Sequence, residues 1–301
     1  MVGKTAIWIV TAIAFILIGC VLLGVVMVEF EWDFTNLSTA EYETNTHPVT
    51  DAYSHISIVT DTADIVLAPS EDGSTLVVCY EQTNLNHRVQ VQNGTLCVEL
   101  LDDRKWYDHI GIHFGAPSIT VYLPAGVYGD LQVVGSTSNL QIQPGFTFAN
   151  MDITLTTGDI HMDKIAAASI DASVSTGYIT ASTVTCEEDM TIRVSTGDVA
   201  LAEVQCRNLI TNGNTGDLVL SNTVATESIS VTRTTGDVQL DSCDAATLSI
   251  VTDTGDVSGS LRTDKVFVAH TDTGRVRVPS TTTGGRCEIT TDTGDITIII
   301  L

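Results

Sequence analysis

Carboxylates at a fixed interval are the first feature of this sequence that could do chemistry. Asp159, Asp198, Asp217, Asp237, Asp256 and Asp295 each follow a Thr-Gly pair, and the glycines of all eight such pairs, Gly158 to Gly294, lie 19 or 20 residues apart. Tyr178 and Arg275 hold the aspartate position in the other two copies. In the last three copies a further carboxylate, Asp253, Asp272 or Asp292, stands two residues before the glycine. If the copies stack, Asp253, Asp256, Asp272, Asp292 and Asp295 offer oxygen donors of the kind hard cations take. A row of calcium ions between copies is one reading, and calcium is the one cofactor the pattern implies. The other reading is that each Asp accepts hydrogen bonds from the amides of its own turn, with Arg275 relieving one end of a column of like charges. The nine-residue calcium repeat of secreted toxins is absent.

A second group lies in Asp102 to Pro117, where Arg104, Lys105, Trp106, Tyr107, His109, His113 and Phe114 crowd together in a chain that is only 6% aromatic. An exposed loop whose Trp106 and Tyr107 stack on a sugar or enter a partner is one account, with His109, His113 and Phe114 beside them. An insertion whose aromatics cap the open end of a core is the other. His109 and His113 are four residues apart, but no helical pattern sets them up as a metal pair. His161, Arg193, Arg233 and His270 do not all share one repeat position, and no Gly-x-Ser-x-Gly, His-Glu-x-x-His or phosphate-binding Gly loop occurs. The sequence therefore reads as non-enzymatic, with a polysaccharide-acting β-helix enzyme as the alternative.

The elements that position these residues follow from the repeat. With the copies aligned on glycine, the apolar positions are five and three before it and two, four and often seven after it, as in Ile192, Val194, Val199, Leu201 and Val204. Spacing by two on both sides of a Gly-Asp bend means two short strands with inward side chains. Stacked coils bury those positions as ladders and pair their backbones in parallel. The expected fold is all-β: a right-handed parallel β-helix or β-solenoid with coils of 19–20 residues, preceded by one N-terminal transmembrane helix. Eight coils at ~4.8 Å would make a rod of about 38 Å. Thr137-Ser138-Asn139 and Thr62-Ala63-Asp64 fit the same frame without the glycine. Residues 70–135 then form an elaboration inserted into, or packed on, the first coils. Asn93-Gly94 marks a hairpin there.

Thr5 to Val28 carries no charge over 24 residues, enough helix for roughly 36 Å. Lys4 precedes it and Glu29, Glu31 and Asp33 follow, which places the N-terminus in the cytoplasm and the remainder outside a cell membrane crossed once. A cleaved signal peptide and a lipoprotein modified at Cys20, within Leu17-Ile18-Gly19-Cys20, are the competing readings. The division expected is anchor 1–28, acidic stalk 29–51 and ectodomain 52–301, irregular over 52–135 and regular over 136–301. A net charge of −24 repels nucleic acid and anionic lipid, leaving cations, basic proteins and neutral glycans as partners. Cys186 and Cys206 share a repeat position and read as either a disulfide or a thiol ladder, while Cys79 and Cys97 flank the hairpin. Ile296 to Leu301 ends the last coil without a polar cap, so end-to-end self-association through 296–301 is expected.

The strand pair Ile56 to Leu67, a hairpin ending Gly94-Thr95-Leu96, the segment Ile119-Thr120-Val121-Tyr122-Leu123-Pro124 and the serial Thr-Gly-Asp coils together resemble the DUF4097 family of bacterial candidate adhesins, which includes LiaG-like envelope proteins. The resemblance covers about residues 52–301. It implies a β-solenoid ectodomain at the outer membrane face, associated with cell-envelope stress systems, binding an envelope component, glycan or protein partner without catalysis. It carries over no functional residues.

Overall fold

The computed structural model describes residues 4–29, 32, 41–102 and 115–301. Helix α1 (Lys4–Glu29) has apolar residues all round and no polar face, and its Trp8–Glu29 stretch has a mean hydropathy of 3.0. It is long and apolar enough to cross a membrane. Among the described residues, all the strands follow it.

The first coil is β2 (His55–Thr60) and β3 (Asp64–Pro69), preceded by β1 (Tyr42–Val49). Then come β4 (Thr75–Gln82), β5 (Leu85–Gln92), β6 (Thr95–Asp102), β7 (Ser118–Leu123), β8 (Gly126–Thr137) and β9 (Leu140–Ile142). One side of the first coil pairs in parallel with β8 and β9, Ile58 against Val133 and Leu67 against Ile142. The other side pairs in parallel with β6 and β7. Antiparallel strands finish this end: β5 on β6, β4 on β7, and β1 on β4. The insertion is thus an N-terminal cap that turns the parallel stack into an antiparallel border. Asn93 and Gly94 both take positive φ in the β5–β6 turn, as the hairpin signal requires. Residues 42–49, assigned to the stalk by sequence, form β1; the strand is polar (Tyr-Glu-Thr-Asn-Thr-His-Pro-Val), so it lacks the apolar alternation that announces a strand.

From β8 onward each coil adds one layer. Ile153, Ala172, Ile192, Thr211, Val231 and Ile250 stack as successive register partners on one wall. Ile160, Ile179, Val199, Leu218, Val238 and Val257 do so on the other. All these aliphatic residues are buried, and each large one contributes about 1.5–3 kcal/mol. A second corner of the coil was not legible: Lys164, Thr183, Glu203, Asn222 and Ser242, six residues past their glycines, sit at φ between 49° and 56°. Asn tolerates that conformation, but Thr, Lys, Glu and Ser give no sequence sign of it.

The coils do not stack in sequence order at the far end. The strand Gly285–Thr293 pairs with Thr247–Thr254 on one side and with Lys265–Thr273 on the other. Ile296–Ile300 likewise lies against Val257–Leu261 along its length, with Val276–Arg277 across its start. Of the free edge expected at 296–301, only the part beyond Thr297 has no strand partner on its outer side among the described residues. The terminal strand is inserted one coil inward, Ile296 and Ile298 are buried, and the outermost edge is Lys265–Thr273.

All cysteines are free thiols. Burial pushes the Cys79, Cys206 and Cys287 thiols up to about 12 and raises Cys186 and Cys243 as well. Since the thiolate is the nucleophile, native-state alkylation should label the half-buried Cys97 and spare those five until denaturant is added. Mass spectrometry showing rapid modification of Cys186 or Cys206 in the folded protein would contradict the closed core.

Candidate binding site

The regular coils use their own polar groups. Oδ1 of Asp198 accepts the amide of Asp217 (2.8 Å), Asp217 that of Asp237 (2.8 Å) and Asp237 that of Asp256 (2.8 Å). Asp256 then accepts from Asp295 (2.7 Å), and Asp295 from Arg275 (2.9 Å). The acceptors reach the neighbouring coil's amide, not the amides of their own turn as the sequence reading had it. Inverted coil order also moves Arg275 from last but one in the column to its end, where Nε and Nη2 hold Asp295 Oδ2 (3.0 and 2.5 Å). These bonds, with the guanidinium charge, hold the Asp295 carboxyl below its ordinary range.

Of the calcium candidates, Asp256 and Asp295 therefore already spend one oxygen between coils. Asp272 faces solvent and meets His270 (2.9 Å), and Asp253 and Asp292 are exposed. Among the described residues these five do not bring three donor atoms within 4.8 Å of one another, whereas His47, Cys79 and Glu81 do.

Trp106, Tyr107, His109, His113 and Phe114 lie outside the described residues. The place where their segment joins the fold is defined. It leaves the end of β6 at Asp102 and returns at Gly115, whose Cα packs so closely on the Tyr42 ring that a Cβ there would fall on the ring. Tyr42 stacks on Tyr80 with centroids 5.4 Å apart, and Gln82 Nε2 donates to Tyr42 Oη (3.0 Å). Gly115 thus packs on the β1–β4 border of the cap.

Two further features occupy that cap. Glu81 and His87 are both buried: Glu81 Oε2 takes the His87 amide and Nδ1 (both 2.7 Å), Oε1 takes Asn45 Nδ2 (2.8 Å), and His87 Nε2 bonds Thr60 Oγ1 (2.9 Å). Burial alone would raise the Glu81 pKa, but the bonds from His87 and Asn45 bring it below the ordinary value. The space beside this pair is only ≈10 Å³, too small for a substrate. An open depression of ≈830 Å³ lies on the outer face of β3, β4 and β7. Its floor includes Val66, Leu76, Thr120 and Tyr122, and its rim is the Ser70 to Ser74 turn. Asp72 accepts from the Ser74 hydroxyl (2.7 Å), the Ser74 amide (2.9 Å) and the Ser70 hydroxyl (2.8 Å), which lowers its pKa to about 2. An aromatic ring, hydroxyls and fixed carboxylates suit a polyhydroxylated or cationic ligand. Its lining holds Glu71 and Asp72 but no His, Arg or Lys.

The four basic residues once weighed for catalysis stay apart. His161 bonds Thr180, Arg193 pairs with Asp171, His270 with Asp272, and Arg233 is inside the core. Sequence reasoning missed the Glu81–His87 pair and the Ser70–Asp72–Ser74 rim, because neither belongs to the repeat.

Among solved structures, the chain is similar to a candidate adhesin from Bacteroides fragilis NCTC 9343, with TM-score 0.53 and 14% identity, over 86% of this chain and 97% of that one. A candidate adhesin from Parabacteroides merdae ATCC 43184 gives TM-score 0.52 and 11% identity, over 87% and 98%. At such identities the likeness concerns the fold. No curated protein matches significantly. The family model described as Toastrack DUF4097 matches residues 53–300, the solenoid and its cap apart from β1, and the chain belongs to that family.

Proposed function

We propose that the chain is a single-pass membrane-tethered binding module, its N-terminus in the cytoplasm and its solenoid outside, that engages a component of the cell envelope through the N-terminal cap. The observation that carries this reading is the contrast along the rod. The aspartates of the regular coils are taken up between coils, whereas the cap breaks the repeat, holds both ends of the sequence 103–114 at Asp102 and Gly115, and carries the open depression beside Tyr122. The apolar helix precedes this cap by few residues, and the acidic surface favours neutral glycans or basic protein over nucleic acid. The adhesin descriptions of the two similar structures agree with a binding role. A part in envelope-stress signalling belongs to the same proposal.

The test is binding of the full-length chain in detergent to purified cell-wall glycan and to a basic envelope-protein fraction. Trp106→Ala/Tyr107→Ala should weaken retention about tenfold, the effect of losing roughly 1.4 kcal/mol at an aromatic anchor. Equal retention of variant and wild type on every matrix would sink the assignment of the cap.

A further inference from the structure

Strand β1 is held to the cap by little that is apolar. None of its residues is fully buried, and it is the outermost strand of its wall, paired only with β4. On the face it turns toward the protein, Glu43, Asn45 and His47 oppose Glu81, Cys79 and Val77. The donor atoms of His47, Cys79 and Glu81 all lie within 4.8 Å of one another. His47 Nε2 is buried and makes no hydrogen bond, an unusual state for an imidazole nitrogen shielded from water. Cys79 is fully buried and Glu81 nearly so.

We propose that His47 Nε2, Cys79 Sγ and a Glu81 carboxylate oxygen form a binding site for a zinc-class divalent transition-metal ion that rivets β1 to the N-terminal cap. One sulfur, one imidazole nitrogen and one carboxylate oxygen match the donors of zinc, whereas calcium and magnesium take oxygen alone. Bond lengths of about 2.0–2.3 Å in a tetrahedron put donors roughly 3.3–3.8 Å apart, so a small rotation of His47, the least buried of the three, closes the site. The surroundings already orient the carboxylate. Asn45 Nδ2 holds Oε1 at 2.8 Å, and His87 holds Oε2 at 2.7 Å while bonding Thr60. Such outer partners fix the direction in which a ligand presents its lone pair. Three protein donors leave one tetrahedral position for water. The ion would replace the missing apolar contacts of β1, the strand on the path between the membrane helix and the solenoid.

The experiment uses the full-length chain in detergent, stripped with a chelator and titrated with zinc against a chromophoric competitor, then with cobalt(II). One ion per chain and a thiolate-to-cobalt charge-transfer band are expected. Cys79→Ser and His47→Ala should abolish both, Asn45→Ala should weaken affinity about 10–100-fold, and Cys97→Ser should change neither. His47 sits on an edge strand, so His47→Ala tests the site even where Cys79→Ser disturbs the core; circular dichroism confirms its fold. Failure of the wild type to take up zinc, or a cobalt spectrum that survives both substitutions, overturns the proposal. Envelope binding can fail without affecting this result.

Discussion

Gly197→Ala is expected to destabilise the solenoid by about 3 kcal/mol or more, from a single methyl group. Gly197 has φ 133°, a region L-residues rarely enter. A Cβ there would lie 2.8 Å from the carbonyl carbon of Gly177 and closer still to its oxygen. The obstacle is backbone, and it cannot swing aside. Relief would separate two coils whose pairing runs from Ile179 against Val199 onward, and would strain the bond from the Gly197 amide to Thr215 O (2.8 Å). The same clash recurs up the column, Gly216 on Gly197 and Gly236 on Gly216, so the bend tolerates no side chain in the interior of the stack. At ~2–4 °C per kcal/mol the midpoint should fall roughly 6–12 °C. Ser138 holds the equivalent place in the coil of β8 and β9 without positive φ, so Ser138→Ala should cost far less. A Gly197→Ala protein melting within a degree of wild type would show that the coils are not packed carbonyl on glycine.

Arg233→Met should do the opposite and raise stability, by about 1–3 kcal/mol. Arg233 is 1% exposed, and Nε, Nη1 and Nη2 have no hydrogen-bond partner. Burial pulls its pKa below the ordinary arginine value, while Asp198 and Asp217 pull it back up. Its guanidinium fits because the preceding coil has Gly213 as its register partner; a Cβ on Gly213 would lie 2.8 Å from Arg233 Cζ. Thr252, its partner on the other side, is also buried with an unpaired hydroxyl. Met keeps most of the volume and removes a charge that the core does not compensate. Gly213→Ala alone should destabilise, and less so with Arg233→Met, the two being coupled through one space. Denaturant melts of the four proteins measure both effects. A loss of stability in Arg233→Met above ~1 kcal/mol would mean that the guanidinium has a partner in solution.

Much of this architecture could be read from spacing. Thr-Gly at 19–20 residues located one corner of each regular coil, and the alternation around it placed Ile192, Val194, Val199 and Leu201 inside. The cap was visible only as an interruption, because its strands pair antiparallel between distant residues, as between Leu76 and Tyr122 or His47 and Val77, and no period links them. Arg233 shows the limit of a pattern argument. It stands three before its glycine, a core position, yet its burial depends on the glycine at 213 in the preceding coil.

The sequence by itself determined that the chain coils and that the coils stack, since inward aliphatic positions and a bend restricted to glycine admit little else. Which coil lies on which was decided by the tertiary structure. Every coil offers the same parallel edge and the same apolar layers, so the repeat cannot distinguish one neighbour from another. The seven residues 278–284 between Arg277 and Gly285, against three between Leu261 and Lys265, give the chain the reach to cross back. The last coil thereby enters between the two before it, and Arg275 comes to close the aspartate column.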